Sequence, residues 1–205
     1  MWPGDPRWSY RLAAAIQDGS PANVGEVSGT THAGTHADAP LHVDPAGAGI
    51  DALPLDAFAG PAMVIDVQGG SNTISREEIE AALDAALGEG RDPAGAGPAE
   101  RLLLSTGCDW SAGFPARFRA LAPAAAAWCA ERGLALLGTD APSVDPIDSQ
   151  TLDAHRALFA AGVAIVESLA LAGIEPGRYE FVAFPLRWVG ADASPVRAAL
   201  RRVGS

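Results

Sequence analysis

Cysteine is scarce in this chain. The 205 residues include two cysteines, Cys108 and Cys129, and neither lies in a Cys-x-x-Cys pair or close to a histidine. This pattern excludes a fold that depends on disulfide staples, and a chain of this length can bury a core without them. We interpret both cysteines as reduced thiols that fill space in a cytoplasmic protein.

Basic residues are also few, with 14 Lys and Arg against 25 Asp and Glu and a net charge of -11. Phosphate backbones and anionic membranes repel such a chain, so we expect neither a nucleic-acid partner nor a membrane partner.

Long hydrophobic runs are missing, because the longest weakly polar stretch, residues 121–130, is interrupted by Pro123. Residues 1–5 lack the basic start and apolar segment of a signal peptide, which agrees with a cytoplasmic location.

Apolar runs typical of strands alternate with helical patterns, which predicts an α/β fold in a single domain, residues 1–205. Ser75 and Glu78 form a capping box before a helix that we expect to stop at Gly88, ahead of a Gly/Pro-rich loop over 88–98. Two further helices are expected over 123–133 and 149–161. Strands are expected at the runs 62–67, 102–105, 134–137, 163–166 and 179–186.

Three of only four histidines, His32, His36 and His42, lie within eleven consecutive residues together with Asp38. Imidazole and carboxylate are the ligands that borderline divalent metals prefer. In an extended strand the two side chains four residues apart would be separated by about 13 Å, too far for one ion. A helix would suit a metal, but Gly34 weakens one there. We therefore predict a strand that bends sharply near Gly34 and brings His32 and His36 together.

Two more candidates lie downstream. Glu167 ends an apolar run, and a carboxylate at the end of a buried strand needs a partner such as a metal ion. His155 lies on the third predicted helix, where it could equally be an ordinary, partly exposed residue. The acidic stretch 140–146 follows a predicted strand, and it is consistent either with a functional strand end or with a proline-stiffened turn.

These motifs resemble the zinc-dependent cyclase family, and within it the bacterial kynurenine formamidases, or arylformamidases. The matching signature is His-x-Gly-Thr-His-x-Asp-Ala-Pro-x-His, residues 32–42. Further matches are residues 138–146, the helix that carries His155, residues 167–169 and the tail over 177–198. In relatives a Trp-Pro-Gly-Asp motif follows a first strand, whereas here it occupies residues 2–5, so we expect a shortened N-terminus.

The resemblance implies a swivelling β/β/α fold, a homodimer and two metal ions, which we expect to be Zn²⁺, with Mn²⁺ or Co²⁺ possible on the same ligands. Five side chains would hold the ions: His32, His36, Asp38, His155 and Glu167. Asp38 would bridge the two ions, and His42 would stay unligated and act as general acid and base. Thr35 and Asp140 are candidates for orienting the ligands.

The implied reaction is hydrolysis of N-formyl-L-kynurenine to formate and L-kynurenine in tryptophan catabolism. Three tryptophans, Trp2, Trp8 and Trp110, could contact the aromatic ring of the substrate, although each could equally be an ordinary core or surface residue. Two alternatives stay open. One is a related amide hydrolase such as isatin hydrolase, since a fold does not fix the substrate. The other is a metal-binding protein without turnover.

Overall fold

A computed structural model describes residues 2–87 and 100–203. Its main feature is an eight-stranded mixed sheet. From one edge of this sheet to the other, the strands are β11 (Ala193–Pro195), β3 (His36–Asp38), β9 (Ala164–Glu167), β8 (Leu136–Thr139), β6 (Arg101–Ser105), β4 (Ala59–Asp66), β10 (Gly177–Val182) and β12 (Ala199–Arg202). Two small sheets pair β1 (Ser9–Ala14) with β2 (Val24–Ser28) and β5 (Thr73–Ile74) with β7 (Ala120–Leu121). The α-helices are α1 (Arg76–Leu87), α2 (Pro123–Glu131) and α3 (Asp153–Ala160).

The four central strands, β4, β6, β8 and β9, are parallel, and a helix lies between each consecutive pair along the chain. The flanking strands β3 and β10 run antiparallel to them, and the edge strands β11 and β12 pair antiparallel with β3 and β10. This arrangement confirms the predicted α/β class. The five predicted strands are all present, with ends shifted by a few residues. The last one is shorter than predicted and stops at Val182, since the pairing of β10 with both neighbours ends there.

Side chains alternate across the sheet and pack into two layers. In β4, Met63 and Ile65 face the helices, where they join Leu102, Leu104 and other buried side chains. Ala62 and Val64 point to the opposite face and pack with a second group that includes Phe58. Sheet strands buried on both faces read as continuous apolar runs, which explains why these strands were visible in the sequence.

The predicted capping box begins α1. The Ser75 backbone N–H donates to the Glu78 carboxylate at 2.8 Å, and the Glu78 N–H donates to the Ser75 hydroxyl at 3.2 Å. The helix is described as far as Leu87. The predicted stop at Gly88 and the Gly/Pro-rich loop over 88–98 lie outside the described residues.

The third helix begins later than predicted, at Asp153 instead of residue 149. Leu152 has a positive φ of 51°, which is incompatible with a continuous right-handed helix through this point. The Asp145 carboxylate accepts the backbone N–H groups of Ala154 and His155 at 2.9 and 3.0 Å, so it satisfies donors of the first turn. This acceptor fixes where α3 starts.

The hairpin formed by β1 and β2 was not predicted, and it is almost entirely exposed. Directly opposed residues share a face. Tyr10 opposes Val27 and Leu12 opposes Gly25, whereas the ion-paired Arg11 and Glu26 oppose each other on the other face. The hairpin therefore has one apolar and one polar face.

Both cysteines are free thiols. Burial raises the pKa of each to about 12, so neither forms a thiolate near neutral pH. Cys129 packs in the helix-side core, as a small apolar residue would. Within the described ranges, no helix combines the length and apolar character that a bilayer-spanning segment requires.

Candidate metal centre

The pairing of β3 with β9 builds the centre of the site. His36 is the register partner of Glu167, so their side chains lie side by side on one face of the sheet. Asp38 lies two residues further along β3 and therefore projects from the same face. His36 Nε2 is 3.3 Å from Asp38 Oδ1 and 3.6 Å from Glu167 Oε2. All three side chains are almost completely buried.

His32 reaches the same point from the bend that precedes β3. Gly34 adopts a left-handed φ of 62°, which a residue with a side chain rarely takes. His32 Nδ1 lies 2.9 Å from Asp38 Oδ1, and the rings of His32 and His36 are 5.1 Å apart. The predicted bend near Gly34 is thus present, although residues 31–35 form bends and only His36–Asp38 is a strand.

His155 enters from the first turn of α3 and completes the group. Its Nε2 lies 3.3 Å from Glu167 Oε1 and 3.6 Å from Asp38 Oδ2. Its Nδ1 donates to the Asp145 carboxylate at 2.7 Å, which leaves Nε2 without a proton in the neutral ring and directed at the carboxylates. His155 is 2% exposed, so it is not a surface residue.

The five predicted ligand residues therefore converge. Their donor atoms form two groups that share Asp38, and within each group all donor atoms lie within 4.8 Å of one another. One group is His32, His36 and Asp38, and the other is Asp38, His155 and Glu167. Within the part of the chain that the structure describes, both carboxylate oxygens of Asp38 and His155 Nε2 are buried without a hydrogen-bond partner. Such orphaned groups are costly unless something binds them. A set of imidazoles and carboxylates with inward, unsatisfied lone pairs fits a borderline divalent ion such as zinc.

The ionisable side chains of the centre shift one another's pKa. Burial lowers the pKa of His36 and of His155, but the carboxylates of Asp38 and Glu167 outweigh burial and raise both. Burial raises the pKa of Asp38, but the surrounding imidazoles hold it well below its usual range. At His32, as at the other two imidazoles, burial is outweighed by nearby carboxylates, which raise the pKa of this residue to about 9. Because a metal ion binds the deprotonated imidazole, an ion and protons would compete for these nitrogens.

His42 behaves differently from the other three. It ends the 3-10 helix Pro40–His42, and its ring lies 4.2 Å from that of His32 and 5.5 Å from that of His155. Burial lowers its pKa to about 4, because the pull of Asp38 does not offset burial and the two neighbouring imidazoles lower it further. The ring is therefore neutral near pH 7 and can accept a proton.

No pattern in the sequence pointed to Asp192, which precedes β11. Its carboxylate lies 3.1 Å from His32 Nε2 and 4.0 Å from His42 Nδ1. The residue is far from the histidines in the chain, and only the pairing of β11 with β3 brings it to the site. A lone aspartate before a three-residue strand carries no spacing signal.

The acidic stretch 140–146 has mixed roles. Asp145 touches a candidate ligand, whereas Asp140 accepts the backbone N–H and hydroxyl of Thr106 and the N–H of Gly107. The Thr35 hydroxyl donates to the Ser168 carbonyl at 2.7 Å. These contacts do not support the expectation that Thr35 and Asp140 orient the ligands, because the Thr35 hydroxyl binds a backbone carbonyl and the Asp140 carboxylate binds Thr106 and Gly107. Asp145 takes that place for His155.

A cavity of about 540 Å³ opens onto the imidazoles. Its lining includes Trp2, Trp110 and Phe114, which form a contiguous aromatic cluster with ring centroids 5.2 and 6.1 Å apart. The Trp110 indole is fixed by a hydrogen bond to the Asp140 carbonyl at 2.9 Å. Trp8 does not line this cavity; its indole N–H donates to the Thr30 carbonyl. Two of the three predicted aromatic candidates thus lie at the site.

Comparison with known proteins agrees with this geometry. The profile of the Cyclase family matches residues 2–146. A kynurenine formamidase of Salinibacter ruber (strain DSM 13855 / M31) is 43% identical, and the match covers 98% of this chain and 91% of that protein.

Two solved structures share the fold. One is described as a predicted metal-dependent hydrolase from Bacillus stearothermophilus, with 30% identity, a TM-score of 0.74 and coverage of 95% of this chain and 87% of that one. Isatin hydrolase A from Labrenzia aggregata has 25% identity, a TM-score of 0.74 and coverage of 96% and 84%. The chain belongs to the cyclase family.

Proposed function

We propose that the chain is a kynurenine formamidase, which hydrolyses N-formyl-L-kynurenine to L-kynurenine and formate in tryptophan catabolism. The observation that carries the proposal is the convergence of His32, His36, Asp38, His155 and Glu167 beside an aromatic-lined cavity. The similarity to the formamidase of Salinibacter ruber supports the choice of substrate. A cavity of about 540 Å³ lies within the size range of small-molecule sites.

The five converging residues would hold two divalent ions, with Asp38 shared between them. Zn²⁺ fits this donor set, and Mn²⁺ or Co²⁺ would use the same donors. Such ions lower the pKa of a bound water and polarise a carbonyl oxygen, which is the chemistry that hydrolysis of an unreactive amide requires.

His42 would move the proton. Its neutral ring stands beside His32 and lines the cavity, where it would meet the attacking water. It would take a proton from that water and deliver it to the aniline nitrogen as the bond to the formyl carbon breaks. Trp2, Trp110 and Phe114 would bind the aryl ring and exclude bulk water from the opposite end of the cavity.

An assay of the purified protein tests the function. N-formylkynurenine is offered to protein as purified, to chelator-treated protein and to protein reloaded with Zn²⁺, and release of kynurenine is followed by absorbance. We expect turnover that chelation abolishes and Zn²⁺ restores. Isatin is assayed in parallel, because an isatin hydrolase shares the fold. A higher kcat/KM for isatin would overturn the substrate assignment, and no metal-dependent turnover of either compound would leave metal binding without catalysis.

We further propose that the protein is a cytoplasmic homodimer and that the hairpin of β1 and β2 forms the contact. A two-stranded hairpin is marginally stable in water unless it packs on something. On its apolar face Tyr10, Leu12 and Val27 remain 69%, 38% and 58% exposed. Two copies with a net charge of -11 each repel one another, so a contact between them is least unfavourable where the surface is uncharged. The apolar hairpin face carries no charge. The free thiols support the cytoplasmic location.

The dimer proposal predicts that Val27→Glu yields a monomer, because the substitution would bury an uncompensated carboxylate in the contact. Ser28→Glu adds the same charge to the polar face of the same strand and is the matched control. Light scattering after size exclusion should give a dimeric mass for the wild type and for Ser28→Glu. A monomeric wild type, or a Val27→Glu variant that stays dimeric, would contradict the proposal.

A further inference from the structure

The Asp192 carboxylate lies close to two imidazoles. Its Oδ2 lies 3.1 Å from His32 Nε2 and 4.0 Å from His42 Nδ1. The two rings are themselves 4.2 Å apart. One side chain thus lies against both a candidate metal ligand and the candidate general base, which carry different parts of the proposed chemistry.

The contact assigns separate tasks to the two nitrogens of His32. In a neutral ring, one nitrogen carries the proton and the other a lone pair. If His32 binds an ion through Nδ1, which faces Asp38 at 2.9 Å, the proton lies on Nε2, which then donates to the Asp192 carboxylate. The same arrangement occurs at the other two ligand imidazoles. His36 Nδ1 donates to the Gly34 carbonyl at 2.9 Å, and His155 Nδ1 donates to Asp145. Each ligand imidazole is thus oriented through its outer nitrogen.

Asp192 is itself held in place. Its other oxygen accepts the Thr31 hydroxyl at 2.9 Å, and its backbone carbonyl accepts the Ala39 N–H at 2.9 Å. The following residue, Ala193, pairs in register with Asp38. The carboxylate therefore projects from the edge of the sheet beside the ligands, although 43% of the side chain remains exposed to the cavity and solvent.

We propose that Asp192 is a positioning residue that orients His32 for a metal ion and restrains His42 beside it. The proposal rests on the proposed function, since it assumes that His32 is a ligand and that His42 moves a proton. It differs from the role of Asp145, which fixes the start of α3 as well as His155 and whose loss would disturb the fold. Asp192 contributes no comparable structural cap.

The test compares Asp192→Asn and Asp192→Ala with the wild type and with Asp51→Asn. Asp51 is the matched control because it accepts the Gly190 N–H at 2.9 Å and so anchors the same segment without contacting an imidazole. Zn²⁺ affinity is measured by competition with a chromophoric chelator, which requires no turnover. Formamidase kcat and KM are then measured at saturating Zn²⁺.

We expect Zn²⁺ affinity to fall 10- to 100-fold in Asp192→Asn, by the usual effect of removing a partner of a ligand histidine, and further in Asp192→Ala. At saturating Zn²⁺, kcat should stay reduced with little change in KM, because His42 has lost its restraint. Unchanged Zn²⁺ affinity, or an equal loss in Asp51→Asn, would overturn the proposal. A kcat that returns to the wild-type value at saturating Zn²⁺ would overturn the part that concerns His42. If the wild type fails to hydrolyse N-formylkynurenine but Asp192→Asn still binds Zn²⁺ more weakly, the proposed function fails and the positioning of His32 stands.

Discussion

His42→Ala should reduce the kcat for N-formylkynurenine by a factor on the order of 10² to 10⁴ while the protein keeps its full metal content. The imidazole touches the rings of His32 and His155 but contributes to neither of the two groups that contain Asp38. Its removal therefore takes away the proton acceptor and leaves the five proposed ligands intact. The measurement is steady-state kinetics together with metal analysis on the same sample.

His32→Ala serves as the comparison, because it removes a proposed ligand and should lower both metal content and rate. Free imidazole added to His42→Ala should restore part of the rate if the missing group is a base. A His42→Ala variant with the wild-type kcat would show that proton transfer is carried by another group. Loss of metal from His42→Ala would instead assign the residue to the ligand set, together with His32 and Asp192, with which it also forms a compact donor group.

Asp38→Asn should abolish both the activity and the stabilisation that metal gives. Asp38 is the one side chain common to both ligand groups that hold the five residues, and its two oxygens face different imidazoles, Oδ1 toward His32 and His36 and Oδ2 toward His155. An ion at 100 times its dissociation constant stabilises the wild type by about 2.7 kcal/mol, since it binds only the folded state. The neutral amide of Asp38→Asn would bind a cation more weakly in both ligand groups, so the variant would lose this stabilisation.

Chemical denaturation with and without Zn²⁺ provides the measurement for Asp38→Asn. Asp140→Asn is the matched control, because Asp140 is also a buried carboxylate but bonds to Thr106 and Gly107 instead of an imidazole. Asp140→Asn should be less stable than the wild type in the absence of metal. Its free energy of unfolding should nevertheless rise by as much as that of the wild type when Zn²⁺ is added. An Asp38→Asn protein that gains the same increment would rule out the bridging role.

The sequence predicted the composition of the site better than its assembly. His32, His36 and Asp38 stand out because three rare residue types share one short segment, and a nearby glycine allows the bend. Their meeting with Glu167 depends on the pairing of β3 with β9, and no local pattern encodes which strands become neighbours. For His155 and Glu167, the family resemblance supplied what periodicity could not.

The features that were missed are short or isolated. Strands β3 and β11 have three residues each, too few for an alternating pattern to be recognised, and Asp192 depends on both. The hairpin was missed because a shift in register between Leu12 and Ala14 breaks the alternation of β1. The start of α3 was placed too early, since the residue that fixes it, Asp145, acts from outside the helix.

The pairing of β3 with β9 also bears on when a metal ion could bind to the proposed ligands. The Thr35 hydroxyl and the Ser168 carbonyl, which fasten the two strands beside the ligands, are 133 residues apart in the chain. A nascent polypeptide emerging from the ribosome carries His32, His36 and Asp38 long before Glu167 has been synthesised, so no complete coordination sphere exists during most of translation. Capture of a metal ion by the proposed ligands would then be a late event that stabilises a nearly finished tertiary structure, and it would not guide the early stages of folding.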